Sequence, residues 1–411
     1  MTRSPGFLQG IMLLLPITLA VMGVSLLTTF VPMINEHFSA VPHYAYLIQG
    51  GIVTMPSIWI VLFSPIAGWL ADRFGRRTIL IAAMIVYAFV GIAPTFLDSL
   101  YAIIVSRMGV GICESIVMTV STTLICDYFD GKSRERWLAG QTATASLAAL
   151  VIIPLGGVLA EHYGWRGPFY VYLYSLLLVA GVAAFIWEPK PSPTAAPRGE
   201  PHLDVTFPWA RMLALCGLTL VAAVMFYSII TQNANALGAL GVHDAQRVGV
   251  LTMIASLGVP IGTFAYWIAS RLRIGWLLCL DFALIGAGFF GMGRAVDPGS
   301  YVMSAFINQL GCGLVLPTML VWTTRGLPFE IRGRGNGMWQ GAFAIGQFAS
   351  GMVLQFLGEQ SGGLLPAFSR LSVVCFAVAA AALLGGIYQA VAPPSMRKSA
   401  PVTQPASSDT R

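Results

Sequence analysis

Charge is what this sequence has least of: 23 Lys/Arg and 17 Asp/Glu in 411 residues, 10% of the chain, where soluble domains carry about 25%. With 56% hydrophobic residues and a mean hydropathy of +0.76, there is too little polar side chain to cover a water-facing surface. That excludes a soluble enzyme, a nucleic-acid-binding protein and a disordered scaffold. Cysteine is also scarce. Cys113, Cys126, Cys216, Cys279, Cys312 and Cys375 fall in or at the ends of apolar runs, with no CxxC spacing, so they read as small core hydrophobes and indicate neither a disulfide framework nor a metal site. The alternation of apolar and polar residues over ~10-residue segments that marks an outer-membrane barrel is missing as well.

What is present is a series of continuous apolar runs of ~20 residues or more, each long enough to cross a bilayer as a helix. Twelve are counted, at about 8–34, 46–70, 78–97, 100–125, 138–160, 168–187, 209–232, 247–269, 275–294, 300–323, 336–358 and 364–390. Arg3 precedes the first run in the manner of a signal peptide, but the run exceeds an h-region and eleven spans follow, so it is expected to stay as a span. The fold class expected is an all-α polytopic membrane protein.

Basic residues orient the chain. With the N-terminus in the cytoplasm, 18 of the 23 Lys/Arg fall in inside segments and only Arg166, Arg247, Arg294 and Arg370 in outside ones. The net +6 therefore reads as topology and attraction to anionic lipid, not as a nucleic-acid footprint. Both termini are expected in the cytoplasm and the protein in the inner membrane.

The stretch 188–208, EPKPSPTAAPRGEPHLDVTFP, is Pro-rich and too polar to span, and reads as a cytoplasmic linker between an N-terminal six-helix bundle (1–187) and a C-terminal one (209–392). Residues 393–411 have the same composition and read as a disordered cytoplasmic tail. Features recur about one half-length apart: Ala71-Asp72-Arg73 with Ala269-Ser270-Arg271, Gly109 and Gly111 with Gly311 and Gly313, Arg134 and Arg136 with Arg332 and Arg334. Together they favour two halves related by a pseudo-two-fold axis.

Between runs 2 and 3 the chain reads GWLADRFGRRTIL, Gly68 to Leu80. Gly68 suits a close helix approach, Gly75 a tight turn, and Arg73, Arg76 and Arg77 hold the loop on the basic side. Asp72 is the one acid among them. The string resembles the signature G-x-L-A-D-R-x-G-R-R of the major facilitator superfamily, at the place where that family carries it. The resemblance extends over all twelve spans and implies a secondary transporter working by alternating access. It implies a conformational-switch role for Asp72, pairing with nearby arginines and with the start of helix 11 around Gly335 and Asn336. Asp127, ending run 4, is expected to pair with Arg76 or Arg77. Its DYFD string lacks the second acidic motif of a metal-dependent membrane enzyme.

Run 4 carries Arg107 and Glu114 in SRMGVGICES. Seven residues are close to two turns, so both side chains share one face about 10 Å apart along the axis. Charges inside a span normally face a cavity or a partner. The segment resembles the family's R-x-x-x-G, and with Glu114 the R-x-x-x-G-x-x-E of organic-anion and spinster-like carriers. One reading is a proton-coupling pair; the other is a static buried ion pair. Asp281 of run 9 is expected to snorkel or to pair with Arg273.

A polar cavity lining is expected from Thr28, Gln49, Arg107, Tyr227, Gln232, Asn308, Gln309, Asn336, Gln340 and Gln347. Amides facing lipid would be left unsatisfied, and Asn336, Gln340 and Gln347 form one helical stripe. In the family, helices 1, 2, 4, 5, 7, 8, 10 and 11 line the pathway. Such a lining suits a small to medium amphipathic organic solute, anionic if Arg107 is its counter-ion. The partners expected are that solute, protons and the lipid bilayer. No cofactor or metal is expected beyond the proton gradient, no nucleic acid, and the family implies a monomer. In LAALVIIPLGGVLAEHYGWRGPF the exporter pattern G-x-x-x-G-P-x-x-G-G keeps Gly156 and Gly157 but has Ile152 and Ile153 for its Gly-Pro. Export by proton antiport is the leading expectation and proton:organic-anion uptake the alternative. A membrane-embedded enzyme or receptor is remote, since no nucleophile, metal cluster or paired-acid constellation is found.

Overall fold

The computed structural model describes residues 5–188, 207–324, 327 and 329–391. The expected linker, apart from Glu188, Phe207 and Pro208, and the expected tail lie outside the described residues. So do Arg3, Lys190, Arg198, Arg325, Arg397, Lys398 and Arg411.

In hydrocarbon every backbone N–H and C=O must be bonded within the chain, and a continuous apolar run meets that demand as a helix. Twelve helices among the described residues are long and apolar enough to cross a membrane. They are α1 Phe7–Thr29, α2 Tyr44–Phe74, α3 Arg76–Thr95, α4 Leu100–Tyr128, α5 Gly131–Tyr163 and α6 Gly167–Phe185 in one half. The other half holds α7 Trp209–Ala239, α8 Ala245–Ala269, α9 Ile274–Met292, α10 Pro298–Thr323, α11 Arg334–Ser361 and α12 Leu364–Gly385.

The first run does not extend to residue 34 as one helix. Pro16 has no N–H to give, so the ladder is reset after Leu15. The span closes on a 3₁₀ turn at Leu27–Thr29, and the rest of the run is a separate short helix, Val31–His37, with Pro32 in its first turn. Gly75 (φ 92°) ends α2 in a conformation that only glycine adopts cheaply. Asp244 caps α8 by accepting from the Arg247 amide at 2.9 Å.

The packing repeats after six helices. In the first half α1 packs on α5, α2 and α3 on α4, and α3 on α6; in the second α7 packs on α11, α8 and α9 on α10, and α9 on α12. Each half has its own apolar core, Leu13, Met22, Phe30, Val110 and Tyr172 among the residues of one, Phe226, Phe282, Phe289 and Phe368 among those of the other. The halves meet where α5 crosses α8 and where α2 crosses α11, two contacts that exchange under the same symmetry. Helices α3, α6, α9 and α12 turn large apolar side chains outward, Phe89, Leu177, Trp276 and Val373 for example, as a lipid-facing surface requires.

Candidate functional site

Helix α4 runs through the middle of the first half, held close to α2 by Gly111, where a methyl would sit 2.5 Å from the Pro56 carbonyl oxygen. Arg107 and Glu114 share its buried face, at 0% and 1% exposure. That face turns toward α1. One Arg107 guanidinium nitrogen donates to the Gly23 carbonyl (3.2 Å) and to the Tyr172 hydroxyl (2.7 Å), and the guanidinium lies 5.1 Å from the Tyr172 ring centroid. Tyr87 completes this polar centre by donating to the Leu19 carbonyl at 2.7 Å.

Glu114 rests against the same residue of α1: any side chain at Gly23 would run into its Oε1, which has no hydrogen-bond partner among the described residues. The two charges therefore bracket Gly23. The ion pairs among the described residues are Arg76–Asp72, Arg76–Asp127, Arg134–Asp130 and Arg166–Asp98, and a direct Arg107–Glu114 pair is not one of them. The expectation that Arg107 lines the solute cavity is corrected too. Periodicity gives two residues a common face but does not say which neighbour that face meets; here it meets the one α1 residue without a side chain. Gly23, Tyr87 and Tyr172 were missed in the sequence, and a glycine inside an apolar run was the only available sign.

The two halves are joined at one end. Four hydrogen bonds between described residues cross the seam: Asn35 to Asn235 (3.4 Å), Tyr46 to Glu359 (2.7 Å), Thr54 to the Phe348 carbonyl (3.0 Å) and the Ala245 amide to Glu161 (2.9 Å). All lie in the half of the bundle away from the Gly68–Arg77 turn. Glycines let the backbones touch there. Gly157 of α5 meets the Ala245 carbonyl of α8, and Gly351 of α11 packs 2.8 Å from Gln49 Oε1 of α2 if given a Cβ.

Two residues expected in the cavity lie in this seam instead. Gln49 is buried with both amide atoms unpartnered among the described residues, and Gln232 donates to the Gly351 carbonyl (3.2 Å) while accepting from Asn235 (2.7 Å). Thr28 returns its hydroxyl to Ser25 of its own helix (2.8 Å). Asn308 ties α10 to α9 by donating to the Ile285 carbonyl (3.0 Å), inside the second half. Gln309 is buried between α10 and α8, beside Gly258, with its Oε1 unpartnered.

An aromatic and amide-bearing wall is built on α11 and α7. Asn336, Gln340, Phe343 and Gln347 fall on the side of α11 roughly opposite the exposed Ile345 and Phe356 at ~100° per residue. Tyr227 of α7 meets Phe343 edge to face (5.7 Å), and Trp339 stacks on Phe343 (5.7 Å). This wall is aromatic with neutral amides, and Arg107 is not part of it.

At the opposite end Gly68–Arg77 forms the turn from α2 to α3. Arg76 pairs with Asp127 and, at 3.3 Å, with Asp72. Glu188 at the end of the first half accepts from the amides of Arg76 (2.6 Å) and Arg77 (2.9 Å), so an acid caps the positive end of α3. Arg77 also donates to the Ala183 carbonyl (2.7 Å). Glu188 was not foreseen, because it comes from a segment that reads as linker. Asp72 is 70% exposed and has no contact with Gly335 or Asn336; Gly335 faces Leu327 instead. Gly68, expected at a close approach, faces open space. Arg73 lies over the rings of Trp69 and Phe74. Asp281 neither snorkels nor pairs with Arg273 among the described residues; it is fully buried, with the Thr318 hydroxyl as its hydrogen-bonding neighbour.

The sequence profile described as Major Facilitator Superfamily matches residues 13–351. The multidrug resistance protein MdtG of Escherichia fergusonii is 26% identical over 293 residues, 70% of each chain. The multi-drug resistance efflux pump PmrA of Streptococcus pneumoniae is 24% identical over 309 residues, 72% of this chain and 75% of the pump. Among solved structures, a bacterial homolog of the human lysosomal transporter Spinster, inward-facing and unoccupied, superposes with a TM-score of 0.71 at 16% identity, covering 92% of this chain and 95% of its own. A D-xylose-proton symporter gives a TM-score of 0.72 at 14% identity, covering 93% and 97%. The chain belongs to the Major Facilitator Superfamily. It is a multi-pass membrane transporter and not an enzyme.

Proposed function

We propose that this member of the Major Facilitator Superfamily exports a small organic solute from the cytoplasm in exchange for protons, as a monomer in the inner membrane. The observation that carries proton coupling is Glu114: a carboxylate with 1% exposure and an unpartnered Oε1, set where α4 meets Gly23 of α1. Any rocking of α1 against α4 changes its surroundings, which is what an acid that binds and releases a proton once per cycle needs. Export is supported by the names of the relatives, a multidrug resistance protein and a multi-drug resistance efflux pump. With the basic ends in the cytoplasm, the joined end is periplasmic and the state is open inward. Asn336, Gln340, Gln347 and Tyr227 then offer the solute its first contacts, and the Asp72, Arg76, Asp127 and Glu188 network gates that end.

Proteoliposomes loaded with a fluorescent solute under an imposed pH gradient test the reading. Movement of solute opposite to the protons is expected; co-movement would replace export with symport. Glu114→Gln is expected to abolish gradient-driven accumulation while leaving solute counterflow. Unchanged accumulation removes Glu114 from the mechanism.

A further inference from the structure

Arg107 and Glu114 are the formal charges deep inside the spans of the first half; its other charged residues among those described stand near helix ends or in turns. The one charge acting on Glu114 is that of Arg107. The other titratable groups close enough to feel the acid are Cys113 of its own helix, Tyr87 of α3, Tyr172 of α6 and Tyr227 of α7, all of them neutral types at pH 7. Helix α1 supplies none between Phe7 and Thr29, and α2 and α5 carry theirs near their ends.

Two opposite charges isolated in an interior attract each other strongly, yet these two are not joined. Glu114 Oε1 has no hydrogen-bond partner among the described residues, and neither have Nε and Nη1 of the guanidinium. Both side chains reach Gly23, so a reorientation of the long Arg107 side chain is all that is needed to bring them together. The guanidinium must be held where it is.

Tyr172 is built to hold it. It stands in the 3₁₀ turn Gly167–Leu173 that opens α6 and is fully buried. Its hydroxyl accepts from Arg107 at 2.7 Å, and its ring centroid lies 5.1 Å from the guanidinium, so one side chain offers both an oxygen and a π face to the cation. The ring is fixed in its turn. Gly91 of α3 leaves the space it fills, where a methyl would overlap the ring and sit 2.7 Å from Tyr172 Cβ. Tyr87 packs on the ring at 5.2 Å and Phe169 stacks on it at 6.3 Å.

We propose that Tyr172 is a positioning residue for proton coupling, holding the Arg107 guanidinium off Glu114 so that the acid stays free to gain and lose a proton. The inference rests on the reading of Glu114 as the coupling acid and names the group that keeps it available.

The test is infrared spectroscopy of the purified full-length chain in detergent. It compares the protonated and ionised carboxyl bands that Glu114→Gln removes, at a pH where both are present. A guanidinium brought against a carboxylate changes its protonated-to-ionised ratio about tenfold or more. Tyr172→Phe keeps the ring and its packing but removes the oxygen, and should lower the ratio by that factor. Adding Arg107→Gln to Tyr172→Phe should return the ratio to the wild-type value or above, a rescue that a merely structural role of Tyr172 would not produce. In proteoliposomes Tyr172→Phe should reduce gradient-driven accumulation and spare counterflow. A wild-type Glu114 that shows no titrating band, an unchanged ratio in Tyr172→Phe, or a fall that persists once Arg107 is replaced would each overturn the assignment. So would a Tyr172→Phe chain that no longer folds, since the hydroxyl would then be a prop of the fold. The infrared ratio uses no gradient, so transport can turn out to be uptake while the inference stands. Normal accumulation by Glu114→Gln sinks the coupling reading, whereas lost accumulation there with an unchanged ratio in Tyr172→Phe sinks the role of Tyr172 alone.

Discussion

Gly23→Ala is the smallest change that reaches the buried centre. The new methyl would sit inside contact distance of Glu114 Oε1 and 2.8 Å from its Cδ. Glu114 is 1% exposed, so the carboxylate has no solvent to swing into, and α1 cannot withdraw without loosening the bond from Arg107 to the Gly23 carbonyl (3.2 Å). Overpacking of this kind costs about 1–3 kcal/mol. Replacing a mid-helix glycine by alanine returns about 0.5–1 kcal/mol, so the expected net loss is on the order of 1–2 kcal/mol. The diagnostic is the double-mutant comparison. With Glu114→Ala the carboxylate is gone, only the helix gain remains, and Gly23→Ala should become neutral or stabilising. The measurement is the unfolding midpoint of the four purified proteins in one detergent, together with proton-driven transport by the two that retain Glu114. Transport should fall with Gly23→Ala because the acid is displaced. If Gly23→Ala lowers the midpoint equally in both backgrounds, the Gly23–Glu114 contact is not what the substitution disturbs, and the argument fails.

Cysteines placed at Asn35 and Asn235, whose side chains meet in the seam, should cross-link and stop transport, with activity restored on reduction; a cross-linked protein that transports normally would show that the seam does not open. Glu188→Gln weakens the cap on the Arg76 and Arg77 amides and should cost about 0.3–1 kcal/mol locally, seen as faster hydrogen exchange in the first turn of α3 with the rest of the chain unchanged. Asp297 lies just outside α10. Bonds from Ser300, then from the Gly299 amide, hold its carboxyl below the usual carboxylate range. Its contribution is therefore present above the ordinary carboxylate pKa and lost as pH falls through the lowered value; protection of the first turn of α10 should drop in that acid window and not near neutrality.

The twelve spans were legible because an apolar run of that length has a single stable form in hydrocarbon, and the six-plus-six division followed from the Pro-rich break and the weak repeats. Within α4, spacing put Arg107 and Glu114 on a common face. Their surroundings were not legible, because the neighbour is Gly23, a residue whose contribution is the side chain it lacks. Glu188 was hidden for a related reason. Its partners are two backbone amides, which carry no residue identity and leave no trace in a motif. The amide positions were misplaced for a third reason. Gln340 is exposed, whereas Asn336 has its Oδ1 buried and Gln49 and Gln232 are closed into the seam, and a sequence does not say which access state its polar residues are in.

That seam is itself imperfectly satisfied, and this bears on how it opens. Gln49 leaves both amide atoms without partners, and Thr29 and Asn35 leave an oxygen each. Buried polar atoms of this kind cost free energy that contact with water restores. Opening the joined end therefore loses four hydrogen bonds and the glycine contacts of α5 with α8 and α2 with α11, but rehydrates these orphaned groups. A transporter needs two access states separated by only a few kcal/mol, so that a solute and a proton can each tip the balance. A seam of fully satisfied amides, or one of pure hydrocarbon, would be held too firmly on one side. Replacing Gln49 by leucine removes the orphaned amide while keeping the volume close. It should therefore stabilise the joined end and slow exchange between the states, read as reduced labelling of a cysteine at Asn235 during turnover. Increased labelling would show that Gln49 holds the seam together instead of limiting it.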